Sequence, residues 1–202
     1  MSDPFQVVRD FEQAVGEYTG APYVVAVNSC TMALLLACKW WQQQAMPGKK
    51  VILPKRTYVG VPMSVIHAGY YIEFEDVDWS GYYWLTPLPV IDSARYFSSG
   101  MYIPDSMICV SFHVTKILGD TQGGAILLDN REAYEWLKRM RFDGRTEGVP
   151  PKDDLFTEIG YHCYMSPDVA ARLLHKLSVL PMHNRPLDND DYPDLSTFEV
   201  FK

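Results

Sequence analysis

The stretch Met107-Ile108-Cys109-Val110-Ser111-Phe112-His113-Val114-Thr115-Lys116, continuing Ile117-Leu118-Gly119-Asp120-Thr121-Gln122-Gly123-Gly124-Ala125-Ile126-Leu127-Leu128, decides how the rest of the chain is read. An apolar run leads into a polar turn that carries a lysine, a glycine pair follows, and a second apolar run leads out. This predicts a buried strand, a turn and another buried strand. An ammonium placed there loses hydration unless it is paired or used chemically. Burial lowers the pKa of a lysine and frees its lone pair, which suits a Schiff-base amine. The Ser111 hydroxyl, five residues upstream, could hold a phosphate of the same ligand. Taken alone, the stretch favours a plainer reading, a loop lysine that reaches solvent, so a chemical role has to be argued from the remainder of the sequence.

The 202 residues suit one domain, or one domain and a short appendage, and 48% hydrophobic residues are enough for a proper core. A formal net charge of −7 argues against nucleic acid or an anionic membrane as a general partner, while leaving room for an anionic small molecule in a local pocket of donors. The cysteines Cys30, Cys38, Cys109 and Cys163 form no CxxC pair, and three of them sit in apolar segments. Reduced core thiols and a reducing, cytoplasmic compartment are the expectation. No signal peptide opens the chain and no apolar run is long enough to span a bilayer. His67, His113, His162, His175 and His183 lack ligand spacing with cysteine or acidic partners, so no metal site is predicted.

Outward from the central stretch the chain alternates strands and helices. Asp3-Pro4 opens a helix whose apolar stripe (Phe5, Val8, Phe11, Val15, Tyr18) stops at Gly20. A strand over 23–27 follows, and Asn28-Ser29-Cys30-Thr31 opens a second helix. Strands over 50–54 and 71–77 flank a helix over 58–68, and a short strand, Pro89-Val90-Ile91, delivers Asp92. Helices are predicted over 130–142 and from Ser166-Pro167-Asp168 onward. The order predicts an α/β fold: a reduced, mostly parallel central sheet flanked by helices, with its strand-to-helix turns along one edge. Residues 1–181 form the domain and 182–202 an acidic tail, extended or disordered. Tyr70, Tyr71, Tyr82, Tyr83 and Trp84 read as core or oligomer-interface aromatics.

Three turns could meet at that edge. Ser29-Cys30-Thr31 at a helix start offers free N–H groups to an anion, Asp92 offers a carboxylate, and the 111–116 turn offers a hydroxyl and an amine. Alone, the first two read as a helix cap and a turn residue. Together they supply what pyridoxal phosphate requires: a phosphate anchor, an acid that keeps the pyridine nitrogen protonated, and an imine-forming lysine.

At this point the residues resemble the DegT-type sugar-nucleotide aminotransferases, pyridoxal-phosphate enzymes with the aspartate-aminotransferase fold, from about Phe11 to Leu180. Asn28-Ser29-Cys30-Thr31-Met32-Ala33-Leu34 resembles the family's phosphate turn, Leu53-Pro54 with Thr57-Tyr58 the stretch whose aromatic residue stacks on the cofactor, and Ile91-Asp92-Ser93-Ala94 the segment whose aspartate meets the pyridine nitrogen. Ser111 to Lys116 with Gly123-Gly124 resembles the Schiff-base segment, and Arg141–Gly144 and Gly160–Met165 fall where the family has short recurring segments. The resemblance implies the large domain of that fold, pyridoxal phosphate as cofactor, Lys116 and Asp92 as catalytic residues, Tyr58 stacking, and Cys30, Thr31 and Ser111 on the phosphate. It further implies a homodimer, with a keto-sugar nucleotide and an amino acid as substrates.

The sequence departs from the family in five places. Cys30 replaces a glycine of the phosphate turn. Arg95 stands where the family has glutamine or histidine beside the cofactor's 3′-oxygen. His162 stands where an asparagine reaches the neighbouring subunit's phosphate, with a surface ring as the equal alternative. The family's small C-terminal domain would begin near Pro181, and a strand-helix stretch between Asp78 and Asp92 is missing, so fewer strands are expected. Two functions remain in play: an aminotransferase, or a non-catalytic relative that keeps the fold as a binding or oligomer-partner module. The Lys116, Asp92 and Ser111 combination favours the first; Arg95 and the shortened length favour the second.

Overall fold

Alternate residues of the central strands enter two different cores. In the computed structural model, which describes residues 3–44, 49–188 and 191–202, the chain runs α1 (Gln6–Thr19), β1 (Tyr23–Val27), α2 (Cys30–Gln43), β2 (Lys50–Pro54), α3 (Gly60–His67), β3 (Tyr71–Glu75), β4 (Tyr83–Trp84), β5 (Val90–Asp92), β6 (Met107–Ser111), β7 (Gly124–Leu128), α4 (Arg131–Met140) and α5 (Pro167–Leu177). Val25, Val27, Cys109, Ile126 and Leu128 pack with α2 and α4, whereas Val24, Ala26, Ile108, Val110, Ala125 and Leu127 pack with α1 and α5. A sheet covered on both faces needs apolar residues at every position, which is why these strands read as unbroken apolar runs.

The main sheet has the order β1-β7-β6-β5-β4. β1, β5 and β6 share one direction, and β5 pairs directly with β6 in parallel; β7 and β4 run against them. The expected parallel character therefore holds for those three strands, while the ladders β1–β7, β6–β7 and β4–β5 are antiparallel. The physical reason is connection length: no helix separates β6 from β7, and without a crossover the next strand returns antiparallel. β2 and β3 form a separate parallel pair that meets the main sheet's connections at the Ile52–Thr86 bridge.

Element ends differ slightly from the sequence reading. Asp3 accepts the Phe5 N–H at 2.9 Å in a turn that precedes α1 rather than capping it. α3 begins at Gly60, which leaves Tyr58 outside the helix. Gly20 closes α1 at φ 81°, as glycine can without strain. The two recurring segments near 141–144 and 160–165 cross each other: the Asp143 N–H donates to Tyr161 O (3.0 Å) and the Cys163 N–H to Arg141 O (3.0 Å). The Asn28 N–H then donates to Cys163 O at 2.8 Å, so the crossing braces the exit of β1. Arg141 itself is buried against Glu12 and Glu147, a guanidinium kept charged by two carboxylates.

In the C-terminal segment, residues 182–188 and 191–202 are described and carry single 3-10 turns at Leu195–Thr197 and Glu199–Phe201; Asp190 lies outside the described residues. Its contacts are specific. The Leu187 N–H donates to Arg95 O, the Leu195 N–H to Lys55 O (both 2.8 Å), Asp194 pairs with Lys55, and Phe201 meets Phe74 edge-on. All four cysteines are buried, unpaired thiols. Among the described residues no helix is long and apolar enough to cross a membrane.

Candidate active site

The ends of β1, β6 and β5 and the start of β7 lie side by side, and the phosphate-turn, lysine and aspartate segments meet there. Gly124 opens β7 opposite Val27 of β1 on one side and Ser111 of β6 on the other. A Cβ on Gly124 would lie 2.4 Å from Cys30 N and 2.5 Å from Ser29 C, so the start of α2 rests directly on this glycine. Ser29 caps α2, its Oγ accepting the Met32 N–H at 3.2 Å. The first turn of the helix is thereby fixed next to Ser111, with its dipole and N–H groups available to an anion. Because backbone atoms cannot yield as a side chain can, Gly124→Ala is expected to lose about 3 kcal/mol of stability. The measurement is the urea midpoint; an unchanged midpoint would refute so close an approach.

Asp92 ends β5 inside the molecule, 4% exposed. The Tyr83 hydroxyl donates to its Oδ2 (2.8 Å), the Ala94 N–H donates to its Oδ1 (2.9 Å), and the Thr57 hydroxyl lies 2.6 Å from that of Tyr83. Burial raises the Asp92 pKa above the ordinary carboxylate value, opposed by these donors and by Lys116. A desolvated carboxylate that still faces a cavity is suited to hold a cationic N–H.

Lys116 sits on the 112–123 loop, half-buried, and burial followed by the nearby Arg95 guanidinium lowers its pKa. Asp120 anchors this loop. Its buried carboxylate accepts from Arg172 Nε (3.0 Å) and Nη2 (2.9 Å) and from Lys176 Nζ (2.8 Å), all on α5, while the Asp120 N–H donates to Phe112 O. These partners hold its pKa far below the usual range.

One cavity of about 610 Å³ is lined by Cys30, Thr31, Tyr58, Asp92, Arg95, Ser111 and Lys116, seven of the eight residues expected from the sequence. Within the range of ligand clefts, it has room for a substituted pyridine and its phosphate. Tyr58 stands exposed at its mouth, beside Gly60, where a Cβ would lie 2.8 Å from the Tyr58 ring. The buried Cys30 thiol has its pKa pushed up by burial and then by Asp92, so it stays protonated. His162 lies outside this cavity, on the surface, its Nδ1 2.8 Å from Asp143 Oδ2.

The cavity also contains residues that the sequence did not single out for chemistry. Thr57 and Trp79 line it and meet Tyr83, which stands behind Asp92 and donates to it: the Thr57 hydroxyl lies 2.6 Å from that of Tyr83, and Trp79 packs edge-on against the Tyr83 ring with centroids 4.7 Å apart. Tyr192, from the C-terminal segment, completes the wall against Arg95. A tyrosine in an aromatic-rich loop carries no mark of its hydroxyl's partner, and Tyr192 is nearly one hundred positions away from Arg95 in the sequence.

The sequence pattern of the DegT/DnrJ/EryC1/StrS aminotransferase family matches residues 3–87 and 103–185, and the chain belongs to that family. The break in the match covers the segment of Asp92 and Arg95. The chain is similar to UDP-4-amino-4,6-dideoxy-N-acetyl-beta-L-altrosamine transaminase of Campylobacter jejuni, 26% identical over 213 residues, covering 82% of this chain and 54% of that protein. It is also similar to the spore coat polysaccharide biosynthesis protein SpsC of Bacillus subtilis, 39% identical over 71 residues, or 35% of this chain and 18% of that protein. The chain thus spans about half the length of one curated relative, and less of the other. Among solved structures, AtS13 from Actinomadura melliaura superposes with a TM-score of 0.75 at 20% identity (86% of this chain, 60% of that one). The sugar aminotransferase CalS13 from Micromonospora echinospora gives 0.71 at 21% (87% and 61%). These likenesses show the shared fold.

Proposed function

We propose that this chain binds pyridoxal 5′-phosphate and provides the large-domain half of an aminotransferase site that passes an amino group from an amino acid to a keto-sugar nucleotide. The observation that carries this reading is the convergence of a lowered-pKa lysine, a buried carboxylate and a helix N-terminus on one cavity of suitable size. The donor set fits the cofactor: the backbone at Gly124 leaves space for no side chain beside Cys30 N, and Asp92 is a buried acceptor facing the cavity. When bound, pyridoxal phosphate supplies an aldehyde that condenses with amines and a protonated ring that accepts an electron pair from the substrate Cα.

The chain's own residues would do the rest. The first turn of α2, the Thr31 hydroxyl, the Cys30 thiol and Ser111 hold the phosphate. Asp92 keeps the proton on the ring nitrogen, and Tyr83 with Ala94 N–H keeps Asp92 in place. Tyr58 covers one face of the ring. Lys116, its pKa lowered by burial and by Arg95, would be the amine that holds the cofactor's aldehyde and, as a neutral base, would carry the substrate's proton at its Nζ. In a homodimer, as the family resemblance implies, the exposed His162 would reach a partner subunit's phosphate. The buried, unpaired thiols favour a reducing, cytoplasmic setting.

The test is spectroscopic. Titrating the purified chain with pyridoxal phosphate is expected to develop a visible absorption band, and adding L-glutamate to convert it to the near-ultraviolet absorption of the amine form. A chain that never develops the band overturns the proposal. A band that no amino acid converts favours the non-catalytic binding module instead.

A further inference from the structure

Arg95 is the cavity's permanent cation, and what holds it comes from the far end of the sequence. Its side chain is 16% exposed, while the carboxylate it meets, Asp191, is 78% exposed. The Nη2 to Asp191 Oδ1 distance is 2.9 Å, Nε donates to the Tyr192 hydroxyl at 3.0 Å, and the guanidinium lies 4.7 Å from the centre of the Tyr192 ring. The Tyr192 ring in turn lies near-parallel to Trp79, 6.2 Å away. The arginine backbone is fixed as well, through Leu187 N–H to Arg95 O at 2.8 Å. So a nearly buried guanidinium, rigidly presented on a cavity wall, has as its counter-ion a carboxylate that stands in water.

That asymmetry matters energetically. An ion pair with one exposed partner contributes little, since Asp191 is almost fully hydrated without it. A carboxylate arriving from inside the cavity would meet the same planar fork where water is scarcer, with two parallel N–H donors available. Arg95 and Lys116 line the same cavity, and Arg95 and Asp191 both act electrostatically on Lys116.

We propose that Arg95 is the subsite for a carboxylate of the amino-acid substrate, and that Asp191 is a built-in occupant which this carboxylate displaces while Tyr192 holds the guanidinium in plane. The inference rests on the aminotransferase reading and adds to it the group that selects a carboxylate-bearing donor. It also gives a role to the segment 187–195, whose Asp191 and Tyr192 then act as specificity-determining and positioning residues.

The experiment uses the full chain without cofactor and glutarate, a dicarboxylate that has no amine to react. Binding is followed by isothermal titration at low ionic strength in wild type, Asp191→Asn and Arg95→Gln, with thermal melting to confirm that each folds. Asp191→Asn is expected to bind glutarate about two- to fivefold more tightly, since an exposed competing pair is removed. Arg95→Gln is expected to weaken binding by more than about tenfold, the loss of charge-assisted hydrogen bonds. In the loaded chain, Asp191→Asn should lower KM for L-glutamate. Equal affinity in wild type and Asp191→Asn, or undiminished affinity in folded Arg95→Gln, overturns the proposal. Absence of the visible band with pyridoxal phosphate would instead remove the aminotransferase reading, and the cofactor-free titration is independent of that result.

Discussion

Lys116→Ala is expected to abolish covalent capture of pyridoxal phosphate while leaving the protein folded. After borohydride reduction and digestion, the wild-type peptide containing Lys116 should carry the added mass of the reduced cofactor, and no peptide of the variant should. Turnover should fall by at least the 10²–10⁴-fold associated with a positioned proton-transfer group. The pH dependence follows from the direction of the shift. Burial and the Arg95 guanidinium hold the Lys116 pKa below the ordinary lysine value, so the neutral, nucleophilic amine should become available at lower pH than in an unfolded chain. The same shift works against folding: the charged form is penalised in the native state below the folded pKa, and that penalty vanishes as pH rises through the unfolded value. Removing the amine should therefore leave stability at neutral pH unchanged or slightly higher. A melting temperature well below wild type would mean that Lys116 serves the fold rather than the chemistry.

Asp92→Asn should retain cofactor binding and lose most of the rate, by about 10²–10³-fold. Asparagine is nearly the same size, and its carbonyl can still accept the Ala94 N–H that now donates to Asp92 Oδ1. What it cannot do is balance a positive charge on a ring nitrogen: its amide would donate to that nitrogen's lone pair instead of accepting a proton from it. The buried position sharpens the effect, because little water is present to substitute for the lost charge. Single-turnover conversion by L-glutamate, compared with the affinity for pyridoxal phosphate, separates the two consequences. A variant that converts donor at the wild-type rate would show that Asp92 does not face the ring nitrogen.

Much of this site was legible in the sequence because its parts sit at the ends of short apolar runs. Val90-Ile91 before Asp92 and Met107–Val110 before Ser111 are buried on both faces, so a polar residue that follows them is delivered to the sheet edge by strand geometry alone. Gly124 was visible as half of a glycine pair, but its contact with Cys30 N, between segments some ninety residues apart, was not. The antiparallel setting of β7 was missed for a related reason: an apolar run has the same composition whichever direction it runs, and direction is decided by the loop before it.

The sequence by itself determined the α/β order, the two-sided burial of the central strands, and that Lys116, Asp92 and the start of α2 follow those strands, because burial period and turn chemistry are local properties of the chain. Only the tertiary structure decided what stands behind and across from them. Tyr83 and Thr57 support Asp92, Asp120 ties the lysine loop to α5, and Asp191 with Tyr192 closes on Arg95. Each of these is a pairing between side chains brought together by packing, and neither periodicity nor composition carries information about which distant residue arrives.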